Sequence, residues 1–86
     1  MAKATIAIWP ESPRANFEIR IDASELPEGV IASFEISTPT SSETRAVKTD
    51  QWGNAQTILF NPGVGKHKVT VNAEKRKVQR TFEVKE

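Results

Sequence analysis

Residue types that could carry catalysis are scarce in this chain. It contains one histidine, His67, and neither cysteine nor tyrosine. Nucleophilic or acid–base catalysis needs a base beside a nucleophile, with a third group that orients the base. His67 would need a serine and a carboxylate converging on it, but it stands within an alternation typical of a core-facing strand. We therefore expect no enzymatic activity and no catalytic residue, and we expect His67 to form a hydrogen bond at a corner of the fold.

The sequence also gives little support for a metal or cofactor site. Asp22 and Asp50 lie far apart, and without cysteine there is no thiolate ligand. A calcium site built from Asp50, glutamates and carbonyl groups is the remaining alternative. Gly63 and Gly65 follow Pro62 and open a strand rather than a helix, so they do not form a phosphate-binding loop. We predict no metal and no cofactor.

Trp52 is the residue best suited to binding. A loop tryptophan flanked by amide side chains can stack on a sugar or a base, and nearby cations can hold acidic sugars or phosphate. The candidate binding residues are Gln51, Trp52, Asn54, Lys75, Arg76 and Lys77. The alternative is that Trp52 covers the open end of the core and leaves only its indole N–H in water. We expect Trp9, directly before Pro10, to cap the core at the opposite end.

The last part of the chain is basic. The residues that make the last hairpin basic are Lys66, Lys68, Lys75, Arg76, Lys77 and Arg80. A nucleic-acid surface usually combines such a patch with exposed aromatic residues and an overall basic domain. Here Glu74 and Glu83 interrupt the patch, the net charge is only +1, and no aromatic residue is expected to point outward. We therefore predict no nucleic-acid partner; a binder of that class would associate with steep salt dependence.

The chain of 86 residues is long enough for one domain, residues 1–86, and alternating apolar and polar positions predict about seven short strands. No segment has sustained helical periodicity. The predicted strands are Thr5–Trp9, Phe17–Ile21, Val30–Ser37, Ala46–Thr49, Ala55–Phe60, Lys66–Ala73 and Lys77–Lys85. Asp22–Gly29 and Thr38–Thr44 are predicted loops. Regularly spaced short strands of this kind indicate an all-β, immunoglobulin-like sandwich of antiparallel strands with Greek-key connections.

The predicted sandwich has a definite interior. We expect Phe17, Phe34, Ile58 and Val69 to meet in one shared core. Arg80 falls on the apolar face of the last strand, so that either a bulge turns it outward or its guanidinium extends to water at a sheet edge. In an immunoglobulin topology, the Trp52 loop shares one end of the sandwich with Asp22–Gly29 and with the turn at Lys75.

Two turns frame the second half of the chain. Asp50 and Gly53 suit the first and last positions of a type I turn, and Pro62 followed by Gly63 favours a type II turn in the segment from Asn61 to Gly65. The runs Thr49-Asp50-x-x-Gly53-x-Ala55 and Gly65-x-x-x-Val69-Thr70-Val71 resemble the bacterial immunoglobulin-like domains of the invasin and intimin group. His67 stands where that family has an aromatic residue.

The resemblance implies a non-catalytic display, spacer or adhesion module, and domains of this kind also occur on phage virion proteins. We expect the domain to act on a phage virion or a bacterial surface, as part of a parent protein or assembly. Its partner would be a protein or a host-surface glycan. No stretch has the length and apolar character of a signal peptide or a membrane span, so we expect no membrane insertion. The alternative is a spacer or carbohydrate-binding accessory domain of a larger secreted enzyme.

Overall fold

Seven strands make up the regular structure of the computed structural model, which describes residues 4–60 and 62–86. They are β1 (Thr5–Trp9), β2 (Ile19–Ser24), β3 (Ile31–Ser37), β4 (Ser42–Lys48), β5 (Ala55–Leu59), β6 (Gly65–Ala73) and β7 (Arg76–Val84). Within those ranges there is no helix, and hence no helix that could cross a membrane. The predicted Pro-Gly turn begins at Asn61, which lies outside the described residues.

The strands form two antiparallel sheets. One has three strands in the order β1-β2-β5, and the other has four in the order β4-β3-β6-β7. After β1 the chain crosses to the second sheet, where the Ala15 N–H donates to the Lys85 carbonyl (2.7 Å) and the Lys85 N–H donates to the Pro13 carbonyl (3.0 Å). This short parallel bridge extends the end of β7. The predicted all-β sandwich of seven strands is confirmed.

The core lies between the sheets and is built from every second residue of the central strands. The buried hydrophobic residues are Ala32, Phe34 and Ile36 in β3, Val69, Val71 and Ala73 in β6, and Ile19, Ile21 and Ala23 in β2. Cross-strand pairing aligns these faces, since Phe34 lies opposite Val71 and Ile36 lies opposite Val69. Burying each large aliphatic side chain contributes about 1.5–3 kcal/mol, so this interior is the main source of stability.

Two residues that we expected in the core lie outside it. Phe17 is 65% exposed, because β2 starts only at Ile19 and the preceding segment turns at Asn16, whose φ is 68°. Ile58 is only half-buried and lies opposite Arg20. The register of β5 on β2 instead turns Leu59 inward, opposite Ile19. Leu59 therefore takes the place in the core that we predicted for Ile58.

The fourth strand is longer than predicted. We expected Thr38–Thr44 to be a loop, but the chain reverses within Thr38–Ser41, where the Thr38 N–H donates to the Ser41 carbonyl (2.8 Å), and β4 begins at Ser42. This strand is an edge of its sheet and pairs with β3 along its whole length. Its residues are exposed or half-buried. Because no face of β4 is fully buried, its sequence lacks the apolar alternation by which a strand is predicted.

Two arginines join the sheets along their open sides. Arg45 of β4 donates to the Thr57 hydroxyl (3.0 Å) and to the Ile58 carbonyl, both in β5. Arg80 of β7 donates to the Ile6 carbonyl in β1 (2.8 Å). Arg80 lies on an edge strand, as one of the two expected arrangements requires, but its guanidinium ends on the backbone of the opposite sheet rather than in water.

Candidate functional site

The loop that carries Trp52 is closed by one carboxylate. Asp50 Oδ1 accepts hydrogen bonds from the N–H groups of Trp52 and Asn54, each at 2.9 Å. The Gly53 N–H donates to the Asp50 carbonyl at 3.1 Å, so the turn predicted at Asp50–Gly53 is confirmed. Because a carboxylate accepts backbone hydrogen bonds strongly, Asp50 holds the backbone on both sides of Trp52 in one conformation.

The same loop is anchored to the core through a glycine. Gly53 has φ +78°, a region that L side chains rarely adopt, and its carbonyl accepts from the Leu26 N–H at 3.0 Å. A Cβ on Gly53 would collide with the carbonyl oxygen of Leu26, whose side chain is buried in the core. Thr49 adds a second tie by donating to the Pro27 carbonyl (2.7 Å). The Trp52 loop and residues 25–29 therefore form one packed unit.

The side chain of Trp52 stands in solvent. It is 73% exposed, so the alternative in which it covers the end of the core is wrong. Gln51 and Asn54 on either side of the turn are exposed as well. An exposed indole on a fixed backbone offers an apolar face for stacking together with an N–H donor at its rim.

The structure places two of the three predicted cations at the Trp52 end. Arg76 donates to the Glu25 carbonyl (2.8 Å), next to the residue that binds Gly53, and Lys75 is exposed in the turn between β6 and β7. Lys77 lies opposite Asn72 in the β6–β7 pair. That register places Lys77 on the outer face of the four-stranded sheet.

A second aromatic surface lies at the other end of the three-stranded sheet. Trp9 is 60% exposed, so its expected role as a core cap is wrong. It lies opposite Arg20, which in turn lies opposite Ile58, so that the three side chains form a row across the outer face. With Phe17 they border a groove of about 700 Å³. Sequence reasoning missed this site, although inward-facing isoleucines on both sides of Ala7 already imply that Trp9 faces outward.

His67 occupies the corner where we expected it. It is almost fully buried, it stacks on Phe82 with ring centroids 5.3 Å apart, and its Nδ1 lies 3.0 Å from the Gly65 carbonyl. Since a carbonyl only accepts, Nδ1 carries the hydrogen and donates it. Among the described residues, Nε2 has no hydrogen-bond partner. These are the contacts of a packed residue, and the predicted corner hydrogen bond is confirmed.

No group of three histidine, aspartate or glutamate side chains capable of holding a metal ion occurs in residues 4–60 and 62–86. The calcium alternative depended on Asp50, and the Oδ1 atom of that residue already accepts from the amides of its own loop.

A scan against protein-family models gives no match for this chain, and a search of curated proteins gives no significant match.

Proposed function

We propose that this chain is a non-catalytic, immunoglobulin-like interaction module that binds a host-surface partner, such as a glycan, through the Trp52 loop. It would be displayed on a phage virion or a bacterial surface as part of a parent protein or assembly. The observation that carries this proposal is the exposed Trp52 side chain on a loop held by Asp50 and Gly53.

A fixed loop favours binding because little conformational freedom is lost when the partner arrives. Tryptophan is among the residues that contribute most to binding interfaces, since its ring buries a large area at small entropic cost. Gln51 and Lys75 lie exposed nearby and supply donors for sugar hydroxyl or carboxylate groups. No cofactor takes part in such recognition.

The test starts with a glycan array and co-sedimentation with host cells, followed by titration of the best ligand. The chain has two tryptophans, so an amide correlation spectrum shows two indole N–H signals, which the Trp52→Ala and Trp9→Phe variants assign. We expect the ligand to shift the Trp52 signal and Trp52→Ala to weaken binding at least about tenfold.

Phe60→Ala is the matched control, because Phe60 is a similarly exposed aromatic residue outside the Trp52 loop. It should leave affinity within about twofold of the unsubstituted chain. Absence of binding to glycans and cells, or a Trp52→Ala variant that changes only the free energy of unfolding, would overturn the adhesion role.

A further inference from the structure

The groove beside Trp9 has the dimensions and lining of a ligand site. Its volume of about 700 Å³ lies within the range of about 300–1,000 Å³ usual for small-molecule sites. Trp9 and Phe17 are 60% and 65% exposed, and Ile58 adds an apolar floor between polar neighbours. Large apolar side chains left in water on a sheet face indicate a surface that is covered when a partner binds.

The charges around the groove select among partners. Arg14 and Arg20 border it with Glu18, and Asp22 pairs with Arg20, so selection for an acidic ligand would come from the guanidinium donors rather than from an excess of positive charge. The Nε of Arg20 pairs with Asp22 at 3.0 Å at the surface. Its terminal amino groups have no protein partner within the part of the chain that the structure describes. Two parallel N–H groups of this kind match a carboxylate in a bidentate arrangement.

We propose that this groove binds an oligosaccharide that bears a carboxylate, such as a uronic-acid or sialic-acid glycan. The apolar faces of successive sugar rings lie on Trp9 and Phe17, and the carboxylate is held by the terminal amino groups of Arg20. Glu18 and Gln56 lie at the same rim and accept or donate hydrogen bonds to ring hydroxyl groups. This site is separate from the Trp52 loop and does not depend on the function proposed for it.

The same observations disfavour a single-stranded nucleic acid. A polynucleotide carries a charge at each phosphate and is bound along a continuous basic track. Here Glu18 lies in the groove, and Asp22 occupies one edge of the Arg20 guanidinium. An isolated carboxylate next to uncharged ring faces fits this mixed lining better than a regular row of phosphates.

The experiment uses trigalacturonic acid and its methyl ester, which has the same rings without the charges. Titration is followed by the two indole N–H signals, so that the Trp9 and Trp52 ends report separately. We expect the acid to shift the Trp9 signal and to bind at least about tenfold more tightly than the ester. Rising salt should weaken the binding of the acid, because the contact between its carboxylate and Arg20 lies at the surface.

Variants separate stacking from charge recognition. Measured by calorimetric titration, because these variants lack the Trp9 indole signal, Trp9→Ala should weaken binding of the acid at least about tenfold, and Trp9→Phe should restore most of it. Arg20→Gln should abolish the preference for acid over ester. Lys66 is an exposed cation on β6 and provides the control, since Lys66→Gln should leave that preference unchanged. Trp52→Ala should leave the response of the Trp9 signal within about twofold.

Three results would overturn the proposal: a Trp9 signal that neither trigalacturonic acid nor 3′-sialyllactose shifts, equal affinity for acid and ester, or tighter binding of a thymidine tetranucleotide than of the acid. The last would assign the groove to single-stranded nucleic acid. A Trp52 signal that does not shift would count against the adhesion role of the Trp52 loop and would leave the proposal for the groove unaffected.

Discussion

The Asp50 side chain fixes the backbone conformation of the loop that carries Trp52. Its Oδ1 accepts from the amides of Trp52 and Asn54, and its own N–H donates to the Asn54 carbonyl at 2.9 Å. Aspartate favours such loops because its short side chain reaches the backbone N–H groups that follow it. The binding that we propose for this loop therefore depends on a residue that need not touch the ligand.

Replacing Asp50 tests this dependence. Asp50→Ala removes both accepted hydrogen bonds and should lower the free energy of unfolding by about 1–2 kcal/mol, while Asp50→Asn keeps the Oδ1 acceptor and should lose less than half of that. Urea unfolding measures both values. Glu28→Ala, at an exposed carboxylate, is the control and should stay within about 0.5 kcal/mol. Equal losses for the alanine and asparagine variants would contradict the role given to Oδ1.

The sequence identifies some individual residues correctly and places others wrongly. The positions of Asp50, Gly53 and His67 follow from local chemistry, because turn geometry and alternation act over a few neighbouring residues. The size of Trp9 and its place before Pro10 suggest a core position, although the alternation in β1 turns it outward. Large apolar residues are not always buried, and hydrophobicity alone does not distinguish a core cap from a binding surface.

At the scale of elements, the Trp52 loop and residues 25–29 form one unit because hydrogen bonds to backbone groups join them. The Gly53 carbonyl accepts from Leu26, and Thr49 both donates to the Pro27 carbonyl and accepts from the Val30 N–H (2.9 Å). With Leu26 buried, the position of the Trp52 loop is set by the core itself.

Three glycine-to-alanine variants measure this contact. Gly53→Ala combines positive φ with a collision at Leu26 and should cost about 2–4 kcal/mol. Gly29 has φ +66°, but a Cβ added there would meet only open space, so Gly29→Ala should cost about 1 kcal/mol. Gly63 has neither constraint, and Gly63→Ala should stay within about 0.5 kcal/mol. Thermal and urea unfolding would establish the order, and a Gly53→Ala variant as stable as Gly63→Ala would refute the close contact between Gly53 and Leu26.

Central strands can be predicted from the sequence, and edge strands only in part. In β3 and β6 the apolar residues, among them Phe34 and Val69, alternate with polar residues along the strand, and the apolar set is buried. β4 has no buried face to mark it. In β5 the sequence favours Ile58 as the inward residue, but the register with β2 turns Leu59 inward. Register depends on the partner strand, and a single strand's sequence does not contain it.

On the scale of the whole molecule, the body measures about 37 Å along its longest axis, and the two aromatic surfaces lie toward opposite ends of the three-stranded sheet. The sandwich between them is closed on its open sides by Arg45 and Arg80. Each arginine belongs to an edge strand of the larger sheet and donates to an edge strand of the smaller one.

Removing these contacts should weaken the sandwich from either side independently. Arg45→Met and Arg80→Met keep the apolar stem but lose the donors, and each should cost about 1–2 kcal/mol. Because the two arginines lie on different sides, the double variant should equal the sum within about 0.5 kcal/mol. Urea is the appropriate denaturant, since guanidinium salts screen charge. Coupling above about 1 kcal/mol would show that the sides do not act separately.

Arg45 and Arg80 also affect whether a strand from another copy of the domain can pair with the edges of the smaller sheet. A strand from a neighbouring chain that tried to lengthen the smaller sheet would first have to displace a guanidinium from the carbonyl of Ile6 or Ile58. Fibril growth needs an unobstructed row of backbone donors and acceptors, and here that row is interrupted on both flanks. The smaller sheet is therefore protected at both of its edges against lengthening by a strand from another copy.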